Sequence, residues 1–252
     1  MVELRQNMAK RKLEQGKVVT SVAGENTPDI IDFLGPFGLD SIWIECEHGS
    51  VGWSQIADMT RACDLWDMAS VVRVNTNEPW LIGRTLDRGA NGIVVPHVNT
   101  KEDALKVVEG AKFGPLGHRG MYSGRRSFGV SEYYSKINSE ILIVVLIEEV
   151  EAIENLQEIL TVDEIDVFFL APGDLAQTMG LTGQPNHPEV SKVIDKAISD
   201  IISAGRVPGT LVTNDTMEDY IRKGVRFLNV QWNNWLASGA EQHLSRIRSA
   251  SL

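Results

Sequence analysis

Cysteine is scarce in this sequence, and its scarcity restricts the chemistry available to the protein. The 252 residues include only Cys46 and Cys63, which are too far apart to form a Cys-x-x-Cys pair. Two thiols alone cannot build a cysteine-based zinc cluster, and a chain with so few of them suits a reducing compartment. The sequence therefore predicts a cytoplasmic protein without a structural zinc cluster.

Positive charge is also in short supply. The chain has 24 lysines and arginines against 34 acidic residues, which gives a formal net charge of −10. An acidic surface repels nucleic acid and anionic membranes, so we expect neither as a partner. Individual basic residues can still bind an acidic small molecule.

Long hydrophobic runs are missing as well. The longest, "ILIVVLI" at residues 141–147, is too short to cross a bilayer, and the first residues contain no signal-peptide core. No linker or low-complexity segment divides the chain. With 43% hydrophobic residues, the sequence predicts one domain over residues 1–252 with a sizeable core.

The sequence does contain a regular alternation of strand-like and helix-like segments. Most of the strand-like runs are continuously apolar, as in parallel strands that are covered on both faces. The eight runs are residues 18–23, 41–46, 70–74, 92–97, 141–148, 166–172, 207–212 and 227–232. One intervening helix starts with Thr100 and Asp103 at capping-box spacing, and another has Pro188 near its start and Gly205 past its end. This repetition predicts a single (β/α)8 barrel.

An open, doubly wound sheet is the alternative fold. Its dinucleotide-binding version is disfavoured because no GxGxxG motif follows the first strand.

Titratable residues follow several of these strands directly. In a barrel, the carboxyl ends of the strands meet at one rim, where active sites form. A single charged residue at a strand end is usually an ordinary loop residue, but a group of them in one sector predicts a site. These residues are Glu45, Glu47 and His48 after strand two, Arg73 in strand three, Glu148 and Glu149 after strand five, and Asp174 after strand six.

Two of these carboxylates suit a metal ion. Glu148 and Asp174 come from adjacent strands, and a pair of acids without His or Cys favours a hard cation such as Mg²⁺ or Mn²⁺. The segment "APGDL" predicts a tight turn into a short helix. The N–H groups of Gly173 and Asp174 would then face an anion such as a substrate carboxylate.

Arg73 and His48 have two interpretations each. Arg73 could form a salt bridge with a barrel acid, or it could bind a carboxylate or an enolate oxygen. His48 could be an ordinary loop residue, or it could be the acid–base group with Glu45 or Asp87 as its partner. The other histidines lack comparable neighbours in the sequence, although His97 also ends a strand and could line the pocket.

With "WIECEHG", "VVRVN…LDRGANGIVVPHVNT" and "VLIEEVEAIENLQEIL…IDVFFLAPGDLAQTMG" in this order, the chain resembles the HpcH/HpaI group of metal-dependent class II pyruvate aldolases. The resemblance extends from about residue 18 to the last helix. It implies these roles: His48 as general base, Arg73 as transition-state arginine and substrate contact, Asp87 as the aspartate that tunes the histidine, Glu148 and Asp174 as metal ligands, Glu47 as the acid holding metal-bound water, and Gly173 and Asp174 as carboxylate contacts.

The resemblance also implies a reaction and an assembly. The reaction is reversible retro-aldol cleavage of a 4-hydroxy-2-oxo acid to pyruvate and an aldehyde, through an enolate held at Mg²⁺ or Mn²⁺, with Co²⁺ as a further option. The expected assembly is a homo-oligomer, commonly a hexamer built as a trimer of dimers, with the last helix exchanged between partners. A citrate-lyase-like enzyme acting on an acyl-CoA and a non-catalytic barrel that binds keto acids are the alternatives.

The sequence departs from the family pattern in four places. Glu45 stands where an aspartate is usual, and Leu146 stands where a glutamine often contacts substrate. "VQWNNW" replaces a glycine-rich turn after strand eight, so Trp232 and Trp235 could reshape the pocket or a subunit contact. The long segment with "GHRGMYSGRRSFG" also differs, and its length suggests a functional or interface loop. These departures leave the second substrate open.

Overall fold

The computed structural model describes residues 2–250, and its centre is a closed barrel of eight parallel strands. Each strand pairs with the next, and β8 pairs with β1 over five residue pairs, which excludes the open sheet. The strands are β1 (Val19–Ala23), β2 (Ser41–Glu45), β3 (Ala69–Arg73), β4 (Gly92–Val95), β5 (Leu142–Ile147), β6 (Val167–Leu170), β7 (Pro208–Leu211) and β8 (Phe227–Gln231). The predicted (β/α)8 fold is therefore confirmed. Seven predicted runs contain one strand each, and β3 begins one residue before its predicted run.

Helices surround the barrel. They are α1 (Met8–Glu14), α2 (Pro28–Leu34), α3 (Trp53–Leu65), α4 (Pro79–Asp87), α5 (Lys101–Ala111), α6 (Tyr133–Lys136), α7 (Val150–Glu154), α8 (Leu156–Ile159), α9 (Pro172–Thr178), α10 (Pro188–Ser203), α11 (Met217–Arg222) and α12 (Trp232–Ala250). The predicted capping box is present at α5, where Thr100 and Asp103 bond to each other's backbone N–H groups. Pro188 is the first residue of α10, and Gly205 follows its end with a φ of 71°.

The alternation of side chains along each strand produces two apolar layers. One layer fills the barrel interior and includes Val19, Trp43, Val144, Phe169 and Phe227. The other lies between the sheet and the helices. All six side chains of β5 are buried, and they alternate between the two layers. A strand covered on both faces has to be apolar throughout, which explains the "ILIVVLI" run.

The end of the barrel opposite the rim is closed by α1. Ala9 and Leu13 of this helix pack into the interior layer. Lys10 donates through Nζ to the carbonyl of Ile141 at 2.9 Å and pairs with Asp166 at 2.9 Å. The buried ammonium of Lys10 therefore meets both an opposite charge and a backbone carbonyl at this end of the barrel.

The long loop after α5 lies at the same end. Arg119 pairs with Asp87 at 2.7 Å, and Arg125 pairs with Asp64 at 2.5 Å. Asp87 is the last residue of α4, and Asp64 is near the end of α3. Because these helices run antiparallel to the strands, the loop contacts its own chain away from the rim.

The last helix, α12, has no buried side chain. It carries a one-sided apolar stripe at helical spacing, formed by Trp232, Trp235, Leu236, Leu244 and Ile247. No helix within residues 2–250 is long and apolar enough to cross a membrane.

Candidate active site

Glu45 organises the turn at the end of β2. Its Oε1 accepts the backbone N–H groups of Glu47 and His48 at 2.8 and 3.0 Å. Its Oε2 accepts from the indole of Trp43 at 3.1 Å and from Arg73 Nε at 2.6 Å. Burial opposes ionisation, but the charge and hydrogen bond of Arg73 outweigh it and hold the pKa of Glu45 below its ordinary value. Glu45 therefore fixes the peptide that carries the next two candidate residues.

Arg73 lies between two acids at the end of β3. Its Nε bonds to Glu45, and its Nη1 lies 2.9 Å from Glu47 Oε2. The guanidinium carbon is 5.8 Å from the ring centre of Trp43. The structure thus shows the salt bridge of the first interpretation, while the side chain also lines the rim cavity. The salt bridge does not prevent Arg73 from binding substrate, because a paired guanidinium still has further N–H groups to donate.

Glu148 is a buried carboxylate, and few nearby groups offset the cost of ionising it. Its side chain is 3% exposed, and Oε1 accepts the backbone N–H of His97 at 2.8 Å. Burial, together with the nearby charge of Asp174, raises the pKa of Glu148 to about 7. A carboxylate that is expensive to ionise becomes a good ligand when a cation is supplied.

Three acidic side chains lie close to the imidazole of His97. Its Nδ1 lies 2.6 Å from Glu149 Oε1 and 3.5 Å from Glu148 Oε1, and its Nε2 lies 3.5 Å from Glu47 Oε1. The backbone has a left-handed φ of 55°, which directs its N–H at Glu148. The prediction that His97 lacks company comparable to that of His48 was wrong, because its acidic neighbours come from β2 and β5 and are distant in sequence. His97 is not among the residues that line the rim cavity.

His48 is placed at the rim with an open ring. Its side chain is 70% exposed, and Nε2 lies 3.8 Å from Glu47 Oε2. Glu45 supports it through the backbone N–H rather than through the imidazole. Asp87 does not meet this histidine within the chain, since its carboxylate pairs with Arg119 at the far end of α4.

The rim encloses a cavity of about 190 Å³ above the barrel interior. Its charged wall is formed by Glu45, Arg73 and Asp174, next to Gly173. The remaining wall is mostly apolar, with two amide side chains. These residues are Ala23, Trp43, Leu146, Phe169, Ala171, Pro172, Leu211, Asn229 and Gln231. Asn229 and Gln231 were not identified from the sequence, and their position in "FLNVQW" on a strand end is the signal that could have found them.

Trp232 ties the first and last strands together beside this cavity. Its Nε1 donates to Asn26 Oδ1 at 3.1 Å, and Asn26 in turn donates to the carbonyl of Trp43 at 2.9 Å. The indole packs on Gly24, where a Cβ atom would lie 2.3 Å from Nε1 and where φ is 146°. Trp232 and Trp235 both pack against the core from outside the cavity wall.

The rim residues fit a hard divalent cation. Within residues 2–250, no group of three or more metal-binding side chains occurs, so a bound ion would take two carboxylates and complete its shell with water or substrate oxygens. Glu47 adds a buried oxygen, Oε2, that has no hydrogen-bond partner among those residues and has ionic contacts with Arg73 at 2.9 Å and His48 at 3.8 Å. Burial raises the pKa of Glu47 as well. The acidic rim thus has more negative charge than its cations balance.

Comparisons with known proteins agree with the barrel fold. A sequence model of the family described as HpcH/HpaI aldolase/citrate lyase matches residues 22–234. A 4-hydroxy-2-oxo-heptane-1,7-dioate aldolase from Shigella flexneri is 33% identical over 216 residues, or 84% of this chain and 80% of that protein.

Solved structures show the same similarity. The crystal structure of an HpcH/HpaI aldolase/citrate lyase family protein from Burkholderia cenocepacia J2315 matches with a TM-score of 0.91 and 26% identity, covering 96% of this chain and all of that one. An HpcH/HpaI aldolase from Desulfitobacterium hafniense DCB-2 matches with a TM-score of 0.87 and 27% identity, covering 95% of this chain and 96% of that one.

Proposed function

Because the chain belongs to the HpcH/HpaI aldolase/citrate lyase family, we propose that it cleaves a 4-hydroxy-2-oxo acid to pyruvate and an aldehyde, and catalyses the reverse addition. The family places it among the aldolases, which are carbon–carbon lyases that act on small oxo acids and generally depend on a divalent metal. The observation that supports the proposal best is the convergence of Arg73, Glu148 and Asp174 at one rim.

Glu148 and Asp174 would hold the metal, and we propose Mg²⁺ or Mn²⁺ because the donors are oxygens. Such an ion would act as a Lewis acid on the 2-oxo group. Glu47 would accept a hydrogen bond from water beside the ion, since its buried Oε2 accepts no hydrogen bond from residues 2–250 and has only ionic contacts there. Gly173 and Asp174 both line the cavity, where their backbone N–H groups would receive the substrate carboxylate.

In the cleavage step, His48 would take the proton from the C4 hydroxyl. The electron pair of the C3–C4 bond then moves to C3, and the C4 fragment leaves as an aldehyde. Arg73 would donate to the oxygen on C2 as negative charge develops there in the pyruvate enolate. Returning the proton to C3 completes pyruvate. The exposed ring of His48 suits this role because it can reach the substrate from the rim.

The role proposed for Asp87 requires a second copy of the chain. In one chain Asp87 is held by Arg119 at the end of α4, so it would have to meet the His48 ring of a neighbouring subunit. Leu236 and Leu244 on α12 support an oligomer, because both are large apolar side chains that stay exposed within one chain. We therefore propose a homo-oligomer with an exchanged α12, most simply the hexameric trimer of dimers.

The test is pyruvate formation from 4-hydroxy-2-oxopentanoate. We expect activity to disappear with EDTA and to return with Mg²⁺ or Mn²⁺. His48→Ala and Arg73→Lys should each lose most activity while keeping the fold. Activity that withstands complete metal removal, or that survives in the His48→Ala enzyme, would contradict the proposed chemistry.

A further inference from the structure

The barrel interior contains a row of neutral polar side chains directly beneath the rim cavity. Asn229 on β8, Ser21 on β1 and Ser41 on β2 occupy adjacent strands, and Ser21 is the register partner of both others. Each is at least 95% buried. Asn229 Oδ1 and the two hydroxyl oxygens have no hydrogen-bond partner within residues 2–250. Buried polar atoms are rarely left unpaired, so we expect a water molecule or a polar group of a ligand to bond to this row.

The row opens into the cavity through β8. Asn229 lines the cavity, and Gln231, two residues further along the same face of β8, lines it as well. The Gln231 side chain is exposed to solvent, so its amide is free to turn toward a ligand. Both amides can donate and accept hydrogen bonds, and neither carries charge.

The cavity therefore has a charged region and a neutral polar region. The charged residues Arg73 and Asp174 lie on β3 and directly after β6, where the proposed function places the pyruvate half of the substrate. β8 lies in another sector of the rim, with β1 and β2 between it and β3 and with β7 between it and β6. The part of the substrate beyond the cleaved bond would then face Asn229 and Gln231.

The charge of this second region limits what it can bind. Among the cavity-lining residues of the described chain, Arg73 is the only cation, and it already pairs with Glu45 and Glu47. A carboxylate on the aldehyde half would meet no free side-chain cation among the described residues that line this cavity. A hydroxyl group would both donate to and accept from the amides.

We propose that Asn229 and Gln231, supported by Ser21, bind a hydroxyl group on the aldehyde half, so that the second substrate is a hydroxyaldehyde. This inference rests on the proposed aldolase function. It distinguishes the chain from an enzyme for a diacid, whose aldehyde product would carry a carboxylate. Leu211, beside Asn229 on β7, supplies the apolar contact for the carbon chain.

The experiment compares three aldehydes in the addition of pyruvate. Glycolaldehyde carries the hydroxyl group, propanal replaces it with a methyl group, and succinic semialdehyde carries a carboxylate. We expect kcat/KM to be at least about tenfold higher for glycolaldehyde than for either of the others, because an unmet hydrogen bond in a buried site is costly. Oxaloacetate decarboxylation by the wild-type enzyme tests the enolate chemistry separately, since it needs no aldehyde.

Two variants locate the preference. Gln231→Leu changes an exposed side chain and does not threaten folding, and Asn229→Ala removes the buried amide. Each should reduce the ratio of glycolaldehyde to propanal at least about threefold, while the matched control Gln157→Leu on α8 leaves the ratio unchanged.

The outcomes separate the two proposals. Equal use of glycolaldehyde and propanal, with decarboxylation intact, would mean that the polar row holds only water, and it would overturn the inference alone. A preference for succinic semialdehyde would also overturn it, by showing that a cation reaches the site from elsewhere. Absence of both addition and decarboxylation would overturn the proposed function, and the inference with it.

Discussion

The two ends of the barrel differ in how far nearby cations balance the charge of their acidic side chains. At the end closed by α1, acids and cations are matched: Asp166 pairs with Lys10 at 2.9 Å, and Glu164 pairs with Lys112 at 3.0 Å. Arg11 pairs with Glu140 at the same end. Burial raises the pKa of Asp166 even there, but the charge and hydrogen bond of Lys10 act against the rise.

At the rim, acids exceed the cations that could pair with them. Glu45 and Glu47 share Arg73, and Glu148 accepts one backbone N–H bond. His97 lies 3.5 Å from both Glu47 and Glu148. Burial raises the pKa values of Glu47 and Glu148 without a lysine beside either. The comparison indicates that the acids of the closed end are compensated within the fold, whereas those of the rim are available for the cation that we propose.

The largest expected effect is on catalysis at the rim. Glu148→Gln keeps the shape of the side chain but removes the charge that would hold the metal. We expect kcat for pyruvate release to fall about 10³-fold or more, since Lewis-acid assistance contributes several kcal/mol. Steady-state kinetics at saturating Mg²⁺ measure this. Activity within tenfold of wild type would exclude Glu148 as a metal ligand.

Breaking the matched end should instead affect stability. Lys10→Ala leaves the buried Asp166 carboxylate without its ion pair, and we expect a loss of about 3–5 kcal/mol in the free energy of unfolding. Urea denaturation measures it. The control Lys196→Ala removes an exposed pair with Asp200 and should cost less than about 0.5 kcal/mol. Equal losses in the two variants would show that the closed end owes nothing special to charge matching.

The pH dependence of stability should reveal the unmatched carboxylate. The folded pKa of Glu148 is raised from 4.5 to about 7, so the native protein binds the proton more tightly than the unfolded chain. The stability from this group is present below pH about 4.5 and is lost as pH rises toward 7. A shift of this size corresponds to about 3 kcal/mol.

Urea titrations in EDTA at pH 5 and pH 8 test this expectation. The wild type should lose more stability between the two than Glu148→Gln does, by about 2.5 kcal/mol, because part of the effect is already lost at pH 5. Subtracting the variant removes the contribution of other groups. Saturating Mg²⁺ should restore stability at pH 8 in the wild type alone. Identical pH profiles for the two proteins would contradict the raised pKa.

The smallest expected effect concerns the neutral part of the rim. Trp232→Phe removes the donor to Asn26 and should cost about 1 kcal/mol of unfolding free energy. Because Trp232 lies outside the cavity wall, kcat should stay within about twofold. Trp80→Phe, a change at an exposed indole, is the control. A large loss of kcat in the first variant would place Trp232 in the site after all.

The sequence alone predicted the barrel because its strands are apolar on both faces and its helices carry clear end signals. It also predicted Glu148, Asp174 and Arg73 at one rim, since parallel strands end together. It could not predict the contacts of His97, because these depend on which strands are neighbours and on a left-handed backbone. Likewise, the sequence alone does not distinguish Asn229 from an ordinary strand residue, because only the register of β8 with β1 places it beside Ser21.

The most direct test of the unmatched rim is a Mn²⁺ titration followed by electron paramagnetic resonance. We predict one strong site per chain in the wild type and in Lys196→Ala, and loss of that site in Glu148→Gln and in Asp174→Asn. Undiminished Mn²⁺ binding in both rim variants would contradict the account, because the ion would then be held by residues other than the acids that the rim leaves unpaired.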